Sequence, residues 1–83
     1  MERAEELATA LALAGRPQPA ATLLGAASAA RERLGTPRTP ARQQRNDVLL
    51  ASLQSTLGPD DCAEAVAAGA TRDVTDVARE LAG

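Results

Sequence analysis

The apolar positions of this chain recur at helical spacing, and no stretch alternates as a strand would. Leu7 and Leu11 stand one turn apart, and Leu23, Leu24, Ala27, Ala30 and Leu34 form a second series. Leu49, Leu50, Leu53 and Leu57 form a third. Val74, Val77, Ala78 and Leu81 follow at i, i+3, i+4 and i+7, a clean amphipathic stripe. Gly15, Gly35, Gly58 and Gly69 each come after a helix-like run, where a left-handed C-cap favours glycine. Pro17 and Pro19, Pro37 and Pro40, and Pro59 come soon after three of them and suit the first turn of a following helix. Thr39 is a candidate N-cap, as is Asp73 with Asp76 three residues on. The pattern predicts an all-α chain, one helical domain over residues 1–83, with helices at about 2–14, 18–34, 40–57, 59–68 and 73–82.

The second helix breaks one rule. Gly25 sits in its middle, where glycine costs about 1 kcal/mol relative to alanine, and Ala26, Ala27, Ala29 and Ala30 follow. Side chains this small let another backbone come close, and that contact offsets the lost propensity. The short link GRPQP turns the first helix back along the second, so the first helix is the expected neighbour. Leu24, Gly25, Ala27 and Ala30 are the expected packing groove.

Composition makes that groove matter more. The apolar residues are 11 Leu, 4 Val, one Met, one Cys and 20 Ala, with no aromatic residue at all. A domain of this length buries only about 60–65% of its unfolded surface, and alanine buries little area per residue. The stability margin is therefore expected to be thin. Either a second copy or the rest of a longer chain is expected to supplement it.

Charge is unevenly spread. The net charge is −2, and all nine basic residues are Arg. With isoleucine also missing and alanine abundant, this composition points to a GC-rich bacterial gene. Arg31, Arg33, Arg38, Arg42 and Arg45 surround the link between the second and third helices, whereas acids dominate from Asp60 onward. Such asymmetry permits electrostatic docking. Arg31, Arg38, Arg42 and Arg45 are the candidate docking residues, for an acidic protein surface such as the C-terminal segment of a second copy, or else they form a solvated loop. Nucleic acid is the poorer fit, because no aromatic residue is present to stack on bases and the overall charge is negative.

Candidate chemistry is sparse. With no His, Lys or Tyr, general bases reduce to carboxylates. The adjacent Asp60 and Asp61 stand at a helix start, where acids complement the helix dipole. Cys62 has no histidine to activate it and reads as a buried structural thiol. One Cys and scattered carboxylates lack the spacing of a metal site. No catalytic, cofactor-binding or metal-binding residue is therefore assigned. No apolar run approaches about 18 residues, so no membrane span is expected. The acidic start MERAEEL lacks a signal-peptide core, and a cytoplasmic protein is the expectation.

The segment Glu6 to Gly35, ELATALALAGRPQPAATLLGAASAARERLG, resembles a tetratricopeptide-like repeat. In particular it is similar to the C-terminal helical region of large bacterial ATPase regulators of the LuxR and AfsR-like type. There an LA-rich helix leads through a G-x-P-x-x-A-A turn into R-L-L-G-A-A-x-x-L-R-E-x-L-G. Residues 20–27, AATLLGAA, and 31–35, RERLG, stand in those places. Pro37 and Pro40 fall in the family's proline-containing loop, and Leu49, Leu50, Leu53, Leu57 and Gly58 fit its next helix. Cys62, Val66 and Gly69 occupy an F-x-x-x-W-x-x-G motif, and residues 73–78 a closing D/S-L-E-E-A-V helix. Asn46, Cys62 and Val66 stand where the family commonly has aromatics, and each swap removes buried area.

The resemblance implies a non-catalytic array of helical hairpins that binds protein and is neither the ATPase nor the DNA reader. Its contacts would be neighbouring repeats of a parent chain, another copy or a partner, and its output transcription. A stand-alone homodimerisation or docking module of a large bacterial assembly is the alternative.

Overall fold

The computed structural model describes residues 2–36 and 38–82. Among them are five helices and no strand: α1 (Glu2–Leu13), α2 (Pro17–Leu34), α3 (Pro40–Leu57), α4 (Pro59–Ala70) and α5 (Val74–Ala82). Their ends are set by the expected local signals. The Thr39 hydroxyl accepts from the Arg42 amide at 3.3 Å, and Asp73 Oδ1 accepts from the Thr75 and Asp76 amides at 2.8 and 3.2 Å. Gly35 closes α2 in the left-handed conformation, with the Thr36 amide donating to the Arg31 carbonyl. Pro37, part of the proline-containing loop, lies outside the described residues.

Helix α2 is the axis of the molecule. It touches each of the other four helices, and α5 returns to touch α1. Leu23, Ala20, Ala21, Ala26 and Ala27 are fully buried along it. In an open stack each hairpin meets only its neighbours. Here the helices wrap around α2, with a radius of gyration of 11.3 Å, close to the roughly 11.8 Å of a globular chain this long. Among the described residues, eight of the fourteen buried apolar side chains are alanine. Apart from Leu23 and Leu24 of α2, the larger buried side chains enter the core singly, Leu11 from α1, Leu53 from α3, Cys62 from α4 and Val77 from α5.

Two glycines permit the closest helix pair. A Cβ on Gly25 would lie 2.1 Å from the Val66 carbonyl oxygen and 2.8 Å from its carbon. A Cβ on Gly69 would lie 1.8 Å from the Thr22 carbonyl oxygen and 2.7 Å from its carbon. The contact is reciprocal: α2 offers Gly25 to the backbone of α4, and α4 offers Gly69 to the backbone of α2.

The structure corrects three sequence expectations. The close approach at Gly25 is to α4, not α1. At about 100° per residue, Gly25 and Ala27 point some 160° apart, so Leu24, Gly25, Ala27 and Ala30 do not line one groove. Secondly, α4 continues to Ala70, and Gly69 lies inside it without the positive φ found at Gly15, Gly35 and Gly58. It is a contact glycine rather than a cap. Thirdly, Leu34 is 66% exposed. It is in line with Ala27 and Ala30, but the last turn of α2 runs past the helices that cover those two.

Gly25→Ala and Gly69→Ala are each expected to destabilise the protein by about 2–3 kcal/mol, although alanine is the better helix former by about 1 kcal/mol. Urea unfolding measures this, and a gain in stability for either variant would contradict the reciprocal contact.

Candidate functional site

The arginine group around the α2–α3 link divides in two. Arg31 of α2 donates from Nε to Glu5 Oε1 at 3.0 Å, and Arg38 of the link donates from Nε to Glu5 Oε2. Arg38 also reaches the Ser28 hydroxyl at 2.9 Å, and Arg31 reaches the Thr36 carbonyl at 3.3 Å. One carboxylate on the first turn of α1 thus ties down the end of α2 and the loop beyond it. The three side chains are only 8–13% exposed. Burial by itself raises the Glu5 pKa, but the hydrogen bonds and charges of Arg38 and Arg31 outweigh it and hold the carboxyl below its ordinary value. Arg31 and Arg38, two of the four expected docking residues, are therefore brought together, but onto the chain's own Glu5. That pairing leaves them little charge to offer a partner.

Arg42 and Arg45 sit elsewhere, on the first turns of α3. They line the mouth of a cleft between α1 and α3. One cavity of about 250 Å³ has Leu24 and Leu49 as its apolar floor, Glu6 on the α1 side and Arg45 on the α3 side. A second, of about 550 Å³, continues along α3 past Ala41, Val48 and Ser52 and shares Thr9, Arg45 and Leu49 with the first. Leu24 is therefore the one residue of the expected packing groove that lines an open cleft. Gly25, Ala27 and Ala30 are buried inside the molecule.

The cleft exists because α3 is thinly packed. Of its 18 residues only Leu53 is fully buried, and none from Pro40 to Val48 is. Val48 is 65% exposed at the cleft. Leu13, 85% exposed, lies one turn beyond Thr9 on the same side of α1. Asn46, also in the cleft wall, has a buried Oδ1 with no hydrogen-bond partner.

The other candidate groups take structural places. Asp60 and Asp61 are exposed in the first turn of α4, where they face the positive end of the helix dipole. The Cys62 thiol is buried, and desolvation raises its pKa, which makes it a poorer nucleophile. Among the described residues no three His, Cys, Asp or Glu side chains gather as a metal would require. No helix among them is long and apolar enough to cross a membrane.

Sequence reasoning missed Glu5 and the Val48–Leu13 exposure. Glu5 lies 26 and 33 residues from its two partners, and no local pattern announces such a pairing. Val48 had a usable signal, since it falls outside the Leu49, Leu50, Leu53 and Leu57 series.

Because the folded-state pKa of Glu5 lies below its unfolded value near 4.5, its contribution to stability is complete above that value. It is lost as pH falls through the folded-state pKa. Glu5→Gln is expected to flatten the acid limb of the stability–pH curve, read by urea titration between pH 7 and 3. An unchanged acid limb would contradict the clamp. Asn46→Leu removes an unsatisfied buried acceptor and is expected to stabilise by about 1 kcal/mol, seen as a higher thermal midpoint.

The chain matches no family model, and no curated protein or solved structure matches it.

Proposed function

We propose that the chain is a non-catalytic protein-interaction module whose docking face is the α1–α3 cleft. The observation that carries this reading is the uncovered first half of α3, with Val48 exposed at a cavity of about 550 Å³ that adjoins the leucine-floored one. A groove between two helices, floored by leucine and edged by charge, suits an amphipathic helix laid along it. The lack of His, Lys and Tyr, and the structural places of Asp60, Asp61 and Cys62, favour binding over catalysis.

The resemblance to LuxR and AfsR-like regulators supports a setting for the module. It would be a tetratricopeptide-like segment of a bacterial, cytoplasmic transcription regulator, passing partner binding on to transcriptional output. The second reading is a stand-alone dimerisation or docking module of a large bacterial assembly. It is favoured by the contact of α5 with α1, which closes the helices on themselves instead of leaving an end open for the next repeat.

Selection of helical peptides against the immobilised protein tests the docking face. Binders are expected to lose at least about tenfold in affinity on Val48→Glu, a change of about 1.4 kcal/mol. The circular dichroism of the variant is expected to match the parent, because Val48 is exposed. Peptides that bind equally well to Val48→Glu, or a failure to select any, would remove the cleft as the docking face.

A further inference from the structure

We infer that the occupant of the α1–α3 cleft is a second copy of this chain, packed about a twofold axis that runs along the cleft. The inference rests on the reading of the cleft as a docking face and names its partner from charge. The α1 lip carries Glu6 and the α3 lip carries Arg45, both exposed and both lining the same cavity. Among the described residues neither side chain makes a hydrogen bond or ion pair. A cleft with one acidic and one basic lip is self-complementary. Rotation about its long axis sets α1 of each copy over α3 of the other, so that Glu6 meets Arg45 twice.

The same rotation carries the exposed Val48 of each copy onto the Thr9–Leu13 side of the other's α1. The apolar parts of the two lips then cover each other where water otherwise lies. The partner helix also supports the first half of α3, which buries no residue within its own chain and depends on packing for its helical stability.

Sedimentation equilibrium, run up to about 1 mM chain, tests the arrangement. A monomer–dimer equilibrium is expected, weakened on the order of a hundredfold by Val48→Glu. Glu6→Arg and Arg45→Glu are each expected to weaken it about tenfold, since each places two like-charged pairs across the axis. Glu6→Arg/Arg45→Glu in one chain is expected to restore the parent dissociation constant to within about threefold. Mixing the two single variants is expected to do the same, because both cross-axis pairs are again opposite in sign. Glu6, Arg45 and Val48 are exposed, so circular dichroism of each variant serves as the folding control, and the charge-swapped chain decides the question should one single variant unfold.

A monomer at every concentration, a dimer indifferent to Val48→Glu, or a charge swap that fails to restore association would each overturn the inference. In the first case, peptide binding that still depends on Val48 would leave the docking face standing without self-association. Loss of both would remove the docking face as well.

Discussion

The structure depends on two backbones meeting where two helices have no side chain. Thr22 and Val66 present their carbonyls to Gly69 and Gly25, and the pair holds α4 against the central helix at a distance no Cβ permits. That contact makes an alanine core workable. Dispersion falls off steeply with separation, so short side chains contribute well only when the helices bearing them come close. Ala26 is fully buried beside Gly25, and Ala65 is buried beside Val66. Both are in reach of dense packing because the glycines lower the distance between axes. A chain without a single aromatic residue obtains its core by closeness rather than by bulk.

Closeness on one flank of α2 is matched by polar anchoring on another. Arg31, which reaches Glu5 of α1, follows Ala27 by one turn on the same side of the helix, so α1 lies on that flank and α4 on the Gly25 flank. Ala4 and Ala8 of α1 are buried, yet alanines alone fix the register of two helices poorly. The Glu5 carboxylate supplies that register. It accepts from one guanidinium on α2 and another on the link, and therefore sets where α1 begins relative to where α2 ends. Partly buried charge of this kind adds less to net stability than its geometry suggests, because its desolvation opposes its pairing.

The parts of this fold that were legible in the sequence are those with local causes. The α3 boundaries follow from Thr39 and Pro40 at one end and Gly58 at the other, and α5 follows from Asp73 and its period-3.6 stripe. The close approach at Gly25 was legible as well, since a glycine amid alanines weakens the helix that carries it unless a neighbouring backbone fills the space. Its partner was not. The sequence offers the chain reversal at GRPQP as a local reason to favour α1, whereas α4 is brought there only by the whole topology. Gly69 shows the ambiguity most clearly. Glycine serves both as a left-handed cap and as a contact point, and residues 59–70 give no local sign of which. Arg31 and Arg38 read as surface charge for the same reason, because their acceptor is distant in sequence and near only in the fold.

The candidate site follows from how α2 shares out its surface. An 18-residue helix surrounded by four others has a limited circumference. The glycine contact commits one flank to α4, the Glu5 clamp commits another to α1, and α5 takes part of what remains. Helix α3 reaches the core mainly through Leu53, about three-quarters of the way along its length, and its first nine residues bury none of their side chains fully. The cleft between α1 and α3, with Leu24 at its base and Val48 at its rim, is thus the space that tight packing elsewhere leaves unfilled. An aromatic side chain projecting from α3 would fill much of it from within. Asn46 stands in that wall instead, and the cleft stays open. The residues that make the rest of the molecule close-packed are therefore the same ones that leave this face open.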